Sequence, residues 1–123
     1  MFELLLILFL LQVKHFYADF VMQTYVQTVR KGIYFDLVGI SHSLDHIACS
    51  LLVLFGASFF ITLPVASIIV LCLIEGIIHY HIDWFKVHYG IKDNTKSRFW
   101  TEFGMDQLAH QLTYIGMLYI LLN

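Results

Sequence analysis

SHSLDHIACSLLVLFGASFFITLPVASIIVLCLIEGIIHYHIDWFKVHY, residues 41–89, decides the fold. As one helix it would run about 70 Å at 1.5 Å per residue, against a hydrocarbon core about 30 Å thick. The chain must turn back within it, and Pro64 is the only proline. Thr62-Leu63-Pro64 reads as a tight turn, with proline in the first turn of the next helix. This gives one helix at about 41–62 and another at about 64–89. A single kinked span with interfacial ends is the alternative.

The remaining sequence fits the same solvent. Its 123 residues are 59% hydrophobic and 13% charged, with mean hydropathy +0.77. A soluble domain is about 45–50% apolar and about 25% charged. The expected class is therefore all-α: a polytopic membrane protein with a single domain over 1–123. A first helix is expected at about 2–29, with no Pro or Gly, closed by Arg30-Lys31-Gly32. A fourth is expected at about 99–122, after the polar loop Gly90–Ser97. Short links between such helices favour an antiparallel four-helix transmembrane bundle. Met1–Gln12 lacks a basic start and a small-residue cleavage site, so it reads as a retained helix, not a signal peptide. A net charge of −2 gives no reason to expect nucleic acid as a partner. Cys49 and Cys72 lie in apolar runs and read as small buried hydrophobes.

Cations set the expected orientation. Arg30, Lys31, Lys86, Lys92, Lys96 and Arg98 fall on one side, and Lys14 lies in the same half. The N-terminus, the Pro64 turn and the C-terminus share the other side. The positive-inside rule makes the cationic side cytoplasmic and places both termini outside, in a bacterial inner membrane. Tyr17, Tyr25, Tyr34, Trp84, Tyr89 and Trp100 gather towards the cationic side as an interfacial belt.

Within this apolar chain the polar helical residues recur four apart, on single helix faces: His15/Asp19/Gln23, His42/Asp45/His46, Glu75/His79/Asp83 and Asp106/Gln107/His110. Depth along alternating helices puts His15, His79 and His110 near 20 Å from the non-cationic side, at about 1.5 Å per residue. Asp19, His46, Asp83 and Asp106 fall at roughly 25–28 Å and Glu75 near 16 Å on the same scale. Ionisable groups inside apolar spans are costly and mark functional sites. Imidazole with carboxylate suits Zn²⁺ foremost, and Mn²⁺ or Fe²⁺ as well. The expected ligands of one or two divalent ions are His15, Asp19, His46, His79, Asp83, Asp106 and His110. A metal-free His–Asp network that braces the helices or relays protons is the competing reading.

Other residues carry weaker signals. His42 and Asp45 open the second helix, where an acid often only caps. Asp36 and Glu102 read as a loop residue and a first-turn acid, His81 as off the polar stripe, and the His88–Asp93 spacing as chance. Lys31 and Lys86 serve topology, or alternatively clamp an anion over the site.

The ordered set His15-x3-Asp19-Phe20-x2-Gln23, Lys31, His46, His79-x3-Asp83-x2-Lys86 and Asp106-Gln107-x2-His110 resembles domain-of-unknown-function family 3307. Its members are small membrane proteins of bacteria and their phages. The resemblance covers nearly the whole chain and implies a compact helical membrane protein, but no activity. It leaves open whether His42 or His46 is the matching histidine.

Three function classes follow. The first is a metal-dependent hydrolase of a lipid or lipid-linked substrate, with Glu75 or Asp106 as general base. The sequence has no GxSxG or HExxH to support another hydrolytic mechanism. The second is an oligomeric metal-ion or proton transport protein. The third is a non-enzymatic bacterial or phage membrane protein with a structural His–Asp network.

Overall fold

The computed structural model describes residues 2–122, and every regular element among them is helical. The order is α1 (Phe2–Phe16), a π-helical turn (Tyr17–Met22), α2 (Tyr25–Arg30), α3 (Leu37–Ala57), α4 (Val65–Tyr89) and α5 (Ser97–Leu121). Three segments are long and apolar enough to cross a membrane: Phe2–Met22, Leu37–Ala57 and Val65–Tyr89. This agrees with an integral membrane protein. Helix α3 packs along α4, α4 against α5, and α1 against both α3 and α5.

The expected reversal at Pro64 is present. Pro64 takes the cap position in extended backbone, immediately before α4, and its carbonyl accepts from Ile68 N–H at 3.0 Å. The link is longer than the three residues expected, because α3 already ends at Ala57. At its other end α3 begins at Leu37, four residues earlier than its first polar residue suggested. Asp36 supplies the reason. Its Oδ1 accepts from Val38 N–H at 2.9 Å and Gly39 N–H at 3.4 Å, satisfying donors that a helix start leaves open. Arg30 bonds the other carboxylate oxygen and holds this carboxyl below the usual carboxylate range.

The first expected helix, 2–29, is divided. After Phe16 the helix widens into the π turn, closed by Gln23 N–H on Ala18 O at 3.0 Å. Thr24 then stands in extended backbone (φ −81°, ψ 156°) and starts α2. Thr24 and Gln27 form a capping box: Gln27 N–H donates to Thr24 Oγ1 at 3.2 Å, and Thr24 N–H to Gln27 Oε1 at 2.8 Å. The break therefore needs neither Pro nor Gly. It lets α2 fold against α3, where Gln27 Nε2 donates to Asp45 Oδ2 at 3.0 Å.

The interior is zoned. Leu11, Leu54, Ile68, Cys72, Met117 and Leu118 form an apolar core towards one end. His15, His42, His46, Glu75, His79 and His110 are buried next to it. Large apolar side chains face outward instead, with Leu52 75% and Ile77 61% exposed. A greasy exterior around a polar interior is the arrangement that lipid selects.

Helices α3 and α4 meet at Gly76, where a Cβ would strike the Ile47 side chain. Gly76→Val should therefore force the two helices apart and lower stability by about 1–3 kcal/mol. Gly104→Ala has open space around its Cβ and should be neutral or slightly stabilising. Thermal unfolding in detergent measures both. Equal melting temperatures for the two variants would contradict the close α3–α4 approach.

Candidate metal centre

The polar stripes of α1, the π turn, α3, α4 and α5 meet in one buried cluster. Asp19, carried by the π turn, is its hub. Its Oδ1 lies 3.0 Å from both His42 Nε2 and His46 Nε2, and 3.9 Å from His79 Nε2. Its Oδ2 lies 3.2 Å from His15 Nε2. Asp83 is the second hub. Its Oδ2 is 3.2 Å from His79 Nε2 and 3.4 Å from His42 Nε2, and its Oδ1 is 3.7 Å from His110 Nε2. His46 and His79 stack with ring centroids 3.6 Å apart, and His110 leans on His79 at 4.2 Å.

These spacings match a cation's coordination sphere. A tetrahedral ion bound at about 2.0–2.1 Å separates neighbouring ligand atoms by roughly 3.3–3.4 Å. His42 Nε2 and His79 Nε2 are 3.4 Å apart. One ligand atom each from Asp19, His42, His46 and His79 fit within 4.8 Å of one another, as do those of His15, His79 and His110, and those of Asp83, Asp106 and His110. These residues could hold a metal ion at this place. His42 and His46 both belong to the set. His42 was discounted in the sequence because it opened the helix as read there; the earlier start at Leu37 puts it a full turn inside, on the same stripe as His46.

The charge of the cluster suits a cation or protonated imidazoles. Asp19, Glu75, Asp83 and Asp106 place four carboxylates here, against two ammonium groups, Lys14 and Lys31. Two negative charges then stay uncompensated, which one divalent cation or two imidazolium rings would neutralise. Buried charge without compensation is expensive.

The two lysines were read in the sequence chiefly as topology markers. Lys14 is buried, with Nζ 2.7 Å from Glu75 Oε1 and 3.3 Å from His46 Nδ1. Lys31, delivered by the end of α2, lies 3.0 Å from Asp83 Oδ2. It is the counter-ion of Asp83 and does not stand clear as an anion clamp. Glu75 sits one layer away from the converging Nε2 atoms. Ser50 Oγ donates to its Oε2 at 2.7 Å and Tyr114 O–H to its Oε1 at 3.3 Å. Those partners occupy both of its oxygens. Asp106 accepts from Gln107 Nε2 on Oδ2 at 3.1 Å, while its Oδ1 has no hydrogen-bond partner.

Asp106 also lines a cavity of about 500 Å³ between α4 and α5, together with Lys86, Tyr89, Arg98 and Glu102. A second cavity of about 630 Å³, between α1 and α3, has an apolar lining that includes Leu6, Leu52 and Phe60 and does not touch the cluster. The other polar residues lie apart. Asp45 takes the Gln27 amide, Asp36 caps α3, and Asp93 accepts from Thr95 N–H at 3.0 Å. His81 contacts Tyr34 on an exposed face, and His88 Nδ1 lies 3.2 Å from Gly32 O.

The Lys14–Glu75 pair gives a direct test of this layering. Breaking a buried pair strands the other charge, at about 3–5 kcal/mol. Glu75→Gln or Lys14→Met alone should therefore destabilise by that order, and the double substitution should recover most of the loss. A thermal-unfolding cycle in detergent measures this; additive losses would contradict the pairing.

No curated protein and no solved structure matches the chain. A family model described as "Protein of unknown function (DUF3307)" matches residues 5–123. On that match, over nearly its whole length, the chain belongs to the DUF3307 family, as the His/Asp set suggested.

Proposed function

We propose that this protein is a membrane-embedded, divalent-cation-dependent hydrolase of a lipid or lipid-linked ester. Asp19, His42, His46 and His79 would hold the ion, Zn²⁺ foremost. The observation that carries this reading is that one ligand atom each of Asp19, His42, His46 and His79 lie within 4.8 Å of one another, with no side chain of the four more than 7% exposed. A bound cation lowers the pKa of water to about 7 and polarises an ester or phosphoryl oxygen. Asp106, at the wall of the α4–α5 cavity, would take the proton. The cavity's Lys86, Arg98 and Tyr89 are interfacial residue types, so a lipid headgroup reaches the cluster sideways.

On this reading α1, α3, α4 and α5 cross as an antiparallel four-helix bundle. The helix contacts support it. So does α5 itself: its buried stripe Asp106–His110–Tyr114 turns inward, leaving Leu108, Leu112 and Ile115 for lipid. Lys92, Lys96 and Arg98 then face the cytoplasm of a bacterial cell.

One observation favours a second reading, cation or proton translocation. Lys14, Glu75 and Ser50 extend the polar chain from His46 towards the apolar core. Only this reading predicts flux through wild-type protein in liposomes.

Purified without a histidine tag, wild-type protein should carry near-stoichiometric zinc, manganese or iron by mass spectrometry and cleave a lipid-linked ester. His79→Ala should weaken the ion by at least about 10–100-fold, the loss seen even for outer-shell partners. Absence of metal after reconstitution with each ion would overturn the proposal.

A further inference from the structure

A group beside the first ligand set has the makings of a second site. His110 Nε2 lies 3.6 Å from Asp106 Oδ1 and 3.7 Å from Asp83 Oδ1. All three residues are buried, at 2%, 7% and 3% exposure. His110 Nε2 and Asp106 Oδ1 have no hydrogen-bond partner, although they lie 3.6 Å apart. Buried polar atoms are almost always partnered, and an exception calls for an explanation such as an ion. One ligand atom from each residue fits within 4.8 Å of the others.

Asp83 joins this group to the first. Its Oδ2 faces His42 and His79, and its Oδ1 faces His110. Oδ2 also takes the Lys31 ammonium at 3.0 Å, so Asp83, with one oxygen towards each ligand set, would bridge two ions with Lys31 beside the first. Charge then indicates what the pair would bind. One divalent ion cancels the two surplus carboxylate charges of the cluster. A second leaves it two units positive, beside a cavity lined by Lys86 and by the Arg98–Glu102 ion pair at 2.7 Å. Lys86 Nζ rests over the Phe103 ring at 5.1 Å. Such a site complements a phosphate group more than a neutral acyl ester.

We infer that Asp83, Asp106 and His110 form a second divalent-cation site, bridged to the first through Asp83, and that the two-ion centre takes the phosphate of a phosphate ester entering between α4 and α5. This rests on the metal-binding reading above, gives Asp106 the role of a ligand to the second ion in place of general base, and narrows the substrate class. Two-ion centres are suited to phosphate because the ions can hold oxygens on both sides of the phosphorus.

Mn²⁺ is a suitable probe, since two ions sharing a bridge show exchange coupling in electron paramagnetic resonance. Wild-type protein in detergent should bind two equivalents with a coupled spectrum. Asp106→Asn and His110→Gln, which conserve volume, should each bind one equivalent with an uncoupled spectrum. Inorganic phosphate should bind the doubly loaded wild type at least about tenfold more tightly than Lys86→Gln. One uncoupled equivalent in wild type, lost in His79→Ala but kept in Asp106→Asn, would overturn the second site and leave the first standing. No Mn²⁺ in wild type would overturn both. Two coupled equivalents with no phosphate binding would overturn the phosphate assignment.

Discussion

The structure depends on the burial of Asp19 and Asp83 between facing histidines. Each carboxylate touches imidazoles from more than one helix: Asp19 those of α1, α3 and α4, and Asp83 those of α3, α4 and α5. Inside an apolar layer a carboxylate cannot turn to water, and placing one there costs about 2.5–3.5 kcal/mol even on insertion scales. The helices are thus obliged to bring donors to these two groups. Replacing the cluster with leucines would remove that cost, so its presence calls for a function beyond holding the helices together.

This constraint explains features that look unrelated. The π turn after Phe16 carries Asp19, and π-helical turns occur often at functional sites. The capping box at Thr24 ends that turn and starts α2, whose end delivers Lys31 to Asp83. Gly76 lets α3 and α4 approach closely between Glu75 and His79. Lys14 neutralises Glu75, and its contact with His46 reaches back to the Asp19 hub. Each device sets a donor or a charge within reach of a carboxylate.

Much of this was legible in the sequence, because a four-residue spacing on a helix leaves little freedom. The pairs His15/Asp19, His79/Asp83 and Asp106/His110 are all within 3.7 Å contact in the fold. Pro64 marked the reversal for the same reason that it cannot sit inside a helix. What stayed hidden came from side chains acting on backbone. Neither the break at Thr24 nor the start of α3 at Leu37 has Pro or Gly beside it; each is made by a capping side chain, Thr24 or Asp36. Missing the second displaced His42 from the site. Lys14 and Lys31 were read as topology markers because a lysine near an interface has two uses, and only the position of Glu75 and Asp83 across the interior decides between them. The separate layer of Glu75 was already given by its depth along the helix, but its partners Lys14, Ser50 and Tyr114 were not.

The central claim is that this interior is a metal centre and not a hydrogen-bonded brace. X-ray absorption at the zinc edge, on tag-free protein loaded with Zn²⁺ in detergent, tests it most directly. The account predicts a mixed shell of imidazole nitrogen and carboxylate oxygen at about 2.0–2.1 Å, with the multiple-scattering signature of at least two histidines, lost in His79→Ala. A shell of oxygen alone, unchanged by that substitution, would contradict it and leave the His–Asp cluster as a structural or proton-carrying network.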